Sequence, residues 1–172
     1  FPHGNLRRHQ KEMIEAVSKG LASSAKQVLV SAPPGVGKTA AALVPALRHA
    51  YSIGGRVFVA TSKTTQQAMF ARTVALLREA GAPVRSVVLT AKGKACLNDV
   101  VQCHPDACEF ADDYRGKLER SGATERLLKL PVADLATIQA EAVAHRFCPF
   151  EAALDLSAEV DVVIGDFNRG FA

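Results

Sequence analysis

Two sets of residues in this 172-residue chain have the types and spacing to do chemistry. The first is the loop Ala32-Pro33-Pro34-Gly35-Val36-Gly37-Lys38-Thr39. A glycine-rich loop that leaves a strand and opens a helix turns backbone N–H groups and a helix N-terminus onto an anion. Lys38 would then reach the β and γ phosphates of ATP, and the Thr39 hydroxyl would ligate Mg²⁺. Lys38 and Thr39 are the expected catalytic residues, and Ala32, Pro33, Pro34, Gly35, Val36 and Gly37 complete the expected nucleotide cradle.

The second set is Cys96, Cys103, Cys108 and Cys148, with six, four and thirty-nine residues between successive members. Thiolates hold soft metals and iron–sulphur clusters, and a phosphate-loop protein is not a disulfide-dependent miniature, so ligands are expected rather than staples. The spacing lacks the two close pairs of a compact zinc ribbon. Three readings compete: an iron–sulphur cluster, a zinc site with or without His104, and unconnected buried thiols; His104 itself reads as a surface loop residue more than as a ligand.

Alternating elements must position these groups. Leu6, Met13, Ile14, Val17 and Leu21 recur at helical spacing and predict an amphipathic opening helix that ends near Gly20. Gln27 to Ser31 reads as a strand, Lys38 to Ser52 as an Ala-rich helix stopped by Gly54 and Gly55, and Arg56 to Thr61 as a second strand. Thr65 to Glu79 predicts a helix and Ser86 to Thr90 a third strand. This alternation implies a parallel sheet with right-handed crossovers. From Lys92 to Phe150 the pattern becomes helical, around Tyr114 to Leu130 and Ala133 to His145, with no clear strand. Val160 to Gly165 then returns as a buried-type strand.

Apolar residues make up 48% of the chain, as expected of a globular domain. No apolar run is long enough to span a bilayer and no secretory signal is evident, which predicts no membrane contact and a cytoplasmic setting. Residues 1–89 hold twelve Lys or Arg against three Asp or Glu, residues 90–150 eight against nine, and residues 151–172 one against five. The basic excess sits with the phosphate loop and exceeds the need of one nucleotide, which predicts a polyanion track.

Taken in order, several segments resemble the iron–sulphur DNA helicases of superfamily 2, the family of the xeroderma pigmentosum group D protein and bacterial DinG. They are F-P-H-G-N-L-R-R-H-Q-K-E-M (Phe1 to Met13), A-P-P-G-V-G-K-T, V-A-T-S-K-T-T-Q-Q (Val59 to Gln67) and K-G-K-A-C-L-N (Lys92 to Asn98). C-H-P-D-A-C-E-F-A-D-D-Y (Cys103 to Tyr114), F-C-P-F-E (Phe147 to Glu151) and D-V-V-I-G-D-F-N (Asp161 to Asn168) follow. Ala32 in place of the first Walker glycine also favours a helicase-type loop over small kinases.

The resemblance implies a RecA-like α/β fold, a parallel sheet with a phosphate loop interrupted by a helical iron–sulphur insertion. Residues 1–90 would be the first part of a motor domain, 91–150 the insertion and 151–172 the return to the sheet. By the same resemblance Gln10 contacts adenine and Arg7 belongs to that segment. Lys63, Thr64, Thr65 and Gln66 grip the backbone of single-stranded or fork DNA, and Lys92 links the cluster region to DNA. Cys96, Cys103, Cys108 and Cys148 fall on the ligands of a 4Fe-4S cluster. Arg115, Lys117 and Arg120 could extend a basic lining or could balance Asp112, Asp113 and Glu119.

The implied activity is 5′ to 3′ DNA unwinding driven by ATP, with a place in DNA repair and in the bacterial cytoplasm. No D-E-A-H sequence occurs, and Asp166 is set aside as a substitute metal acid because G-D-F-N resembles the family's turn. The chain begins at Phe1 and reads as a fragment, inactive without the second motor domain. Asn168 to Ala172 depart from the family's pattern after that Asn and carry no functional expectation. Two rivals stand beside this reading: a zinc-bearing phosphate-loop kinase or phosphohydrolase, and a non-catalytic nucleic-acid-binding module.

Overall fold

The computed structural model describes Leu6 and residues 9–167. Their elements run α1 (Gln10–Leu21), α2 (Lys38–Ser52), β1 (Val57–Thr61), α3 (Thr64–Glu79), β2 (Ser86–Val88) and α4 (Lys92–Ala95). Then come α5 (Tyr114–Ser121), α6 (Ala123–Lys129), β3 (Val132–Ala133), α7 (Leu135–His145), α8 (Pro149–Ser157) and β4 (Val162–Asp166). The strands form one parallel sheet in the order β1-β4-β2-β3. This is an α/β fold, as the alternation predicts.

β4 lies between β1 and β2, with Val162 opposite both Val57 and Ser86 and Asp166 opposite Thr61. A parallel strand bonded on both edges and covered on both faces must be apolar on both, and Val162 to Gly165 are all buried. Side chains still alternate between the two faces. Val162 and Ile164 pack with Leu43 and Leu47 of α2 and Val74 and Leu77 of α3. Val163 packs into a second cluster with Leu127, Ile138, Ala142, Phe147 and Leu156, supplied by α6, α7, α8 and the link between them. Helices thus cover both faces. α1 rides on α2 through Met13, Val17 and Ala41.

Polar anchoring sets the start of β4. The Asp161 carboxylate accepts from the Arg85 N–H at 2.8 Å, and the N–H groups of Asp161 and Val162 return to the Arg85 carbonyl at 3.1 Å. Arg85 and Asp161 also pair through their side chains at 3.7 Å.

Three expectations need correction. Gln27 to Ser31 has strand composition but forms no ladder, because no described strand runs beside it; Leu29 is 94% exposed. This run instead lies against α1, where a Cβ added to Gly20 would stand 2.5 Å from Val28 Cγ2. Second, the segment expected to be wholly helical contributes β3, two residues that pair with Ser86 and Val87, helped by Ser86 donating its N–H to the Pro131 carbonyl at 3.0 Å. So short a strand shows no periodicity. Third, α8 was not expected; it opens with Pro149 in its first turn, where a missing N–H costs nothing.

Phe147, fully buried between α7 and α8, holds the second cluster together. Phe147→Ala should lower unfolding free energy by about 3–5 kcal/mol in urea denaturation, whereas a loss under about 1 kcal/mol would show that α7 and α8 do not depend on it.

Candidate nucleotide site and cysteine cavity

The loop from Ala32 to Gly37 turns sharply into α2. Gly35 and Gly37 have φ values of 80° and 82°, a region closed to most side chains, and Gly37 caps the helix without a side-chain partner for the first-turn N–H groups. Val36 is buried and anchors the loop. Lys38 Nζ donates to the carbonyls of Ala32 and Pro33, each at 2.9 Å. The ammonium, though exposed, is thereby held across the mouth of the loop.

Gln10 is 3% exposed and donates from Nε2 to the Gly37 carbonyl at 3.3 Å, so the start of α1 is tied to the phosphate loop. A cleft of about 410 Å³ opens beside it, lined by His9, Glu12, Met13, Ala16 and the run from Val30 to Pro33. Arg7, expected in the same segment, lies outside the described residues.

A second cleft of about 380 Å³ joins Lys38 and Thr39 to Thr61, Gln66, Met69 and Phe70. It places the phosphate loop and the start of α3 at the C-terminal edge of the sheet, where open α/β sheets receive ligands. Lys63, Thr64, Thr65 and Gln66 are exposed. The Lys63 carbonyl accepts from the N–H groups of Gln66 and Gln67 at 3.0 and 3.2 Å and from the Thr61 hydroxyl at 3.3 Å. Helix N–H groups, hydroxyls and a cation are thus presented together, an arrangement suited to a phosphate oxygen. Thr61, Met69 and Phe70 were not singled out in the sequence. The position of Thr61 at the end of a strand pattern was the available signal.

The cysteines come from three stretches of chain. Cys96 follows the single turn of α4, Cys103 lies in an irregular segment, Cys108 is reached through a turn whose N–H bonds the His104 carbonyl at 2.9 Å, and Cys148 caps α8. All four are free thiols, and all four line one cavity of about 290 Å³ with Leu97, Tyr114 and Phe150. Asn98 Nδ2 donates to Cys108 Sγ at 3.3 Å. Burial pushes the Cys148 thiol up; the N–H groups of Glu151 and Phe150 oppose this, while the charges of Glu151 and Cys103 add to it. Among the described residues no three Cys, His, Asp or Glu side chains stand in a ready metal-binding group.

His104 does not line the cavity. Its side chain is 73% exposed, and Nδ1 takes the Asp106 N–H at 3.3 Å. Lys92 is engaged in the cavity wall, 3.6 Å from the Glu151 carboxylate and 4.6 Å above the Phe150 ring. Tyr114 donates to Asp155 at 2.8 Å, and burial followed by that bond drives its hydroxyl well above the ordinary range. Of the three basic residues considered for a DNA lining, Lys117 pairs with Asp112 at 3.7 Å and Arg120 with Asp113 at 2.6 Å, whereas Arg115 lines the cavity. Arg146, in a left-handed conformation at the end of α7, pairs with Glu109 and so joins the stretch before Cys148 to the one after Cys108.

No helix among the described residues is long and apolar enough to cross a membrane. No curated protein matches the chain. The model of the DEAD/DEAH box helicase family matches residues 7–106, a span that runs from the start of the Gln10 segment through the phosphate loop and α3 to the first two cysteines. The match covers more than half of the sequence, and the chain belongs to the DEAD/DEAH box helicase family, ATP-dependent enzymes that act on nucleic acid.

Proposed function

We propose that this chain is the front part of the first motor domain of a 5′ to 3′ DNA helicase whose four cysteines hold a 4Fe-4S cluster. The observation that carries the reading is the single cavity lined by Cys96, Cys103, Cys108 and Cys148, residues drawn from stretches up to fifty-two positions apart. Four soft donors with apolar walls, and an amide N–H directed at the Cys108 sulphur, fit an iron–sulphur cluster better than scattered buried thiols. A zinc site that recruits His104 is not favoured, since that side chain is exposed and outside the cavity; zinc held by the four cysteines alone is left to metal analysis.

In this proposal the chain's own residues divide the work. The N–H groups of Gly35 to Thr39 and the Lys38 ammonium bind the triphosphate, Thr39 supplies a hydroxyl to Mg²⁺, and Gln10 couples the base-side cleft to the loop through Gly37. Lys63, Thr64, Thr65 and Gln66 seat a phosphate of the tracked strand at the opening of α3. Because Gln66 shares a cleft with Lys38 and Thr39, nucleotide occupancy and strand grip are adjacent events. A 4Fe-4S cluster, when bound, supplies a rigid four-way link between the cysteine-bearing segments. Lys92 would join DNA contact to that region, competing with its pairing to Glu151. ATP hydrolysis also needs the acidic metal ligand and the arginine of the second motor domain, so this chain alone should turn over little ATP.

Phosphate-backbone binding makes DNA affinity fall steeply as salt rises. In the complete helicase, Lys38→Ala should reduce ATP turnover by roughly a hundredfold or more while single-stranded DNA binding at low salt persists; unchanged turnover would remove Lys38 from the mechanism. Gly35→Ala tests the backbone separately, since a Cβ there meets nothing within 4 Å and only the positive φ is penalised. Its ATP affinity should drop about tenfold by direct titration, and an unaltered affinity would mean that the loop conformation is not used. Anaerobically purified protein should be brown and carry iron and labile sulphide, both lost in Cys108→Ser. Colourless protein without iron rejects the cluster, and stoichiometric zinc would favour the rival enzyme.

A further inference from the structure

The sulphur of Cys108 has a donor aimed at it. Asn98 lies two residues beyond Cys96, is half-buried, and spends its amide Nδ2 on Cys108 Sγ at 3.3 Å. Cys108 is 8% exposed, so water has little access to compete for that sulphur. A neutral thiol is a weak acceptor, whereas an anionic sulphur accepts a charge-assisted hydrogen bond. A side-chain amide committed to sulphur therefore suits a thiolate ligand.

We propose that Asn98 is a positioning residue that raises the reduction potential of the cluster held by the four cysteines, an inference that rests on the cluster reading above. The positive end of the amide N–H dipole faces a ligand sulphur that carries part of the charge of an electron added to the cluster. It stabilises the reduced form more than the oxidised form, and the effect is undiluted where solvent is excluded. Asn98 also fixes the Cys108 side chain relative to the stretch that carries Cys96. Its role is thus to orient one ligand and to set the energy of the group, without touching nucleotide or DNA.

The test uses the complete helicase, purified anaerobically with its cluster and titrated with dithionite while the reduced signal is followed by electron paramagnetic resonance. Asn98→Leu keeps the side-chain volume and removes the donor; Asn98→Ser keeps a shorter donor. The expected result is wild-type iron and sulphide in both variants, a more negative midpoint for Asn98→Leu, and an intermediate midpoint for Asn98→Ser. An iron-loaded Asn98→Leu with the wild-type midpoint overturns the proposal. If Asn98→Leu holds no iron, Asn98→Ser decides: a midpoint below wild type supports the role, and an unmoved one overturns it. Loss of iron from both variants overturns it as well, since Asn98 would then serve assembly. Iron-free wild-type protein would reject the cluster reading itself, an outcome separate from an unmoved midpoint.

Discussion

The constraint on which the rest of the structure depends is the placement of β4 between β1 and β2, with its main chain bonded on both edges. A strand in that position has no solvent-facing side, so its side chains must be apolar on both faces and helices must arrive on both. Val162 and Ile164 draw in α2 and α3; Val163 draws in the layer built by α6, α7 and α8. The N-termini of α2 and α3 then open at the same edge of the sheet, because each of these helices packs back along parallel strands. The phosphate loop and the Lys63 to Gln66 stretch are neighbours for that reason rather than through any contact of their own with β4.

The cysteine cavity follows from the same layer. Cys148 begins α8, whose buried Ala152, Ala153 and Leu156 pack toward the sheet, so one cysteine is fixed by the domain core. Cys96 sits at the end of α4, which is held to α7 by the Gln139 side chain donating to the Ala95 carbonyl at 3.1 Å. The other two lie on an irregular stretch tethered by Glu109 to Arg146 and by Lys117 Nζ to the Glu109 carbonyl at 2.6 Å. One cysteine is therefore set by core packing, and the other three by polar ties.

Much of this was legible in the residues. Lys38 to Ser52 was readable to the residue because a capping glycine begins it and a Gly-Gly pair follows it, and the buried run before Asp166 could only be an interior strand. What was not legible depended on partners. Gln27 to Ser31 has the right residues for a strand, but a ladder is a property of two strands, and sequence shows only one. β3 was invisible because two residues have no period, and α8 was missed because it follows Pro149 directly, a position that sequence alone does not separate from a loop. The cysteine spacing left three arrangements open. Their convergence on one cavity depends on tertiary packing across thirty-nine intervening residues, and no local pattern records it.

The bare run at Leu29 has a practical consequence. Among the described residues β1 has no strand on its outer edge, its Phe58 is 43% exposed, and the run that carries Leu29 has no ladder of its own. An open strand edge is adhesive, and the residues that usually blunt one, here Lys26, Pro33 and Arg56, stand only at the ends of these runs. At high concentration such molecules will stick edge to edge, so handling of the isolated polypeptide will be governed by crowding of these margins more than by the strength of its interior.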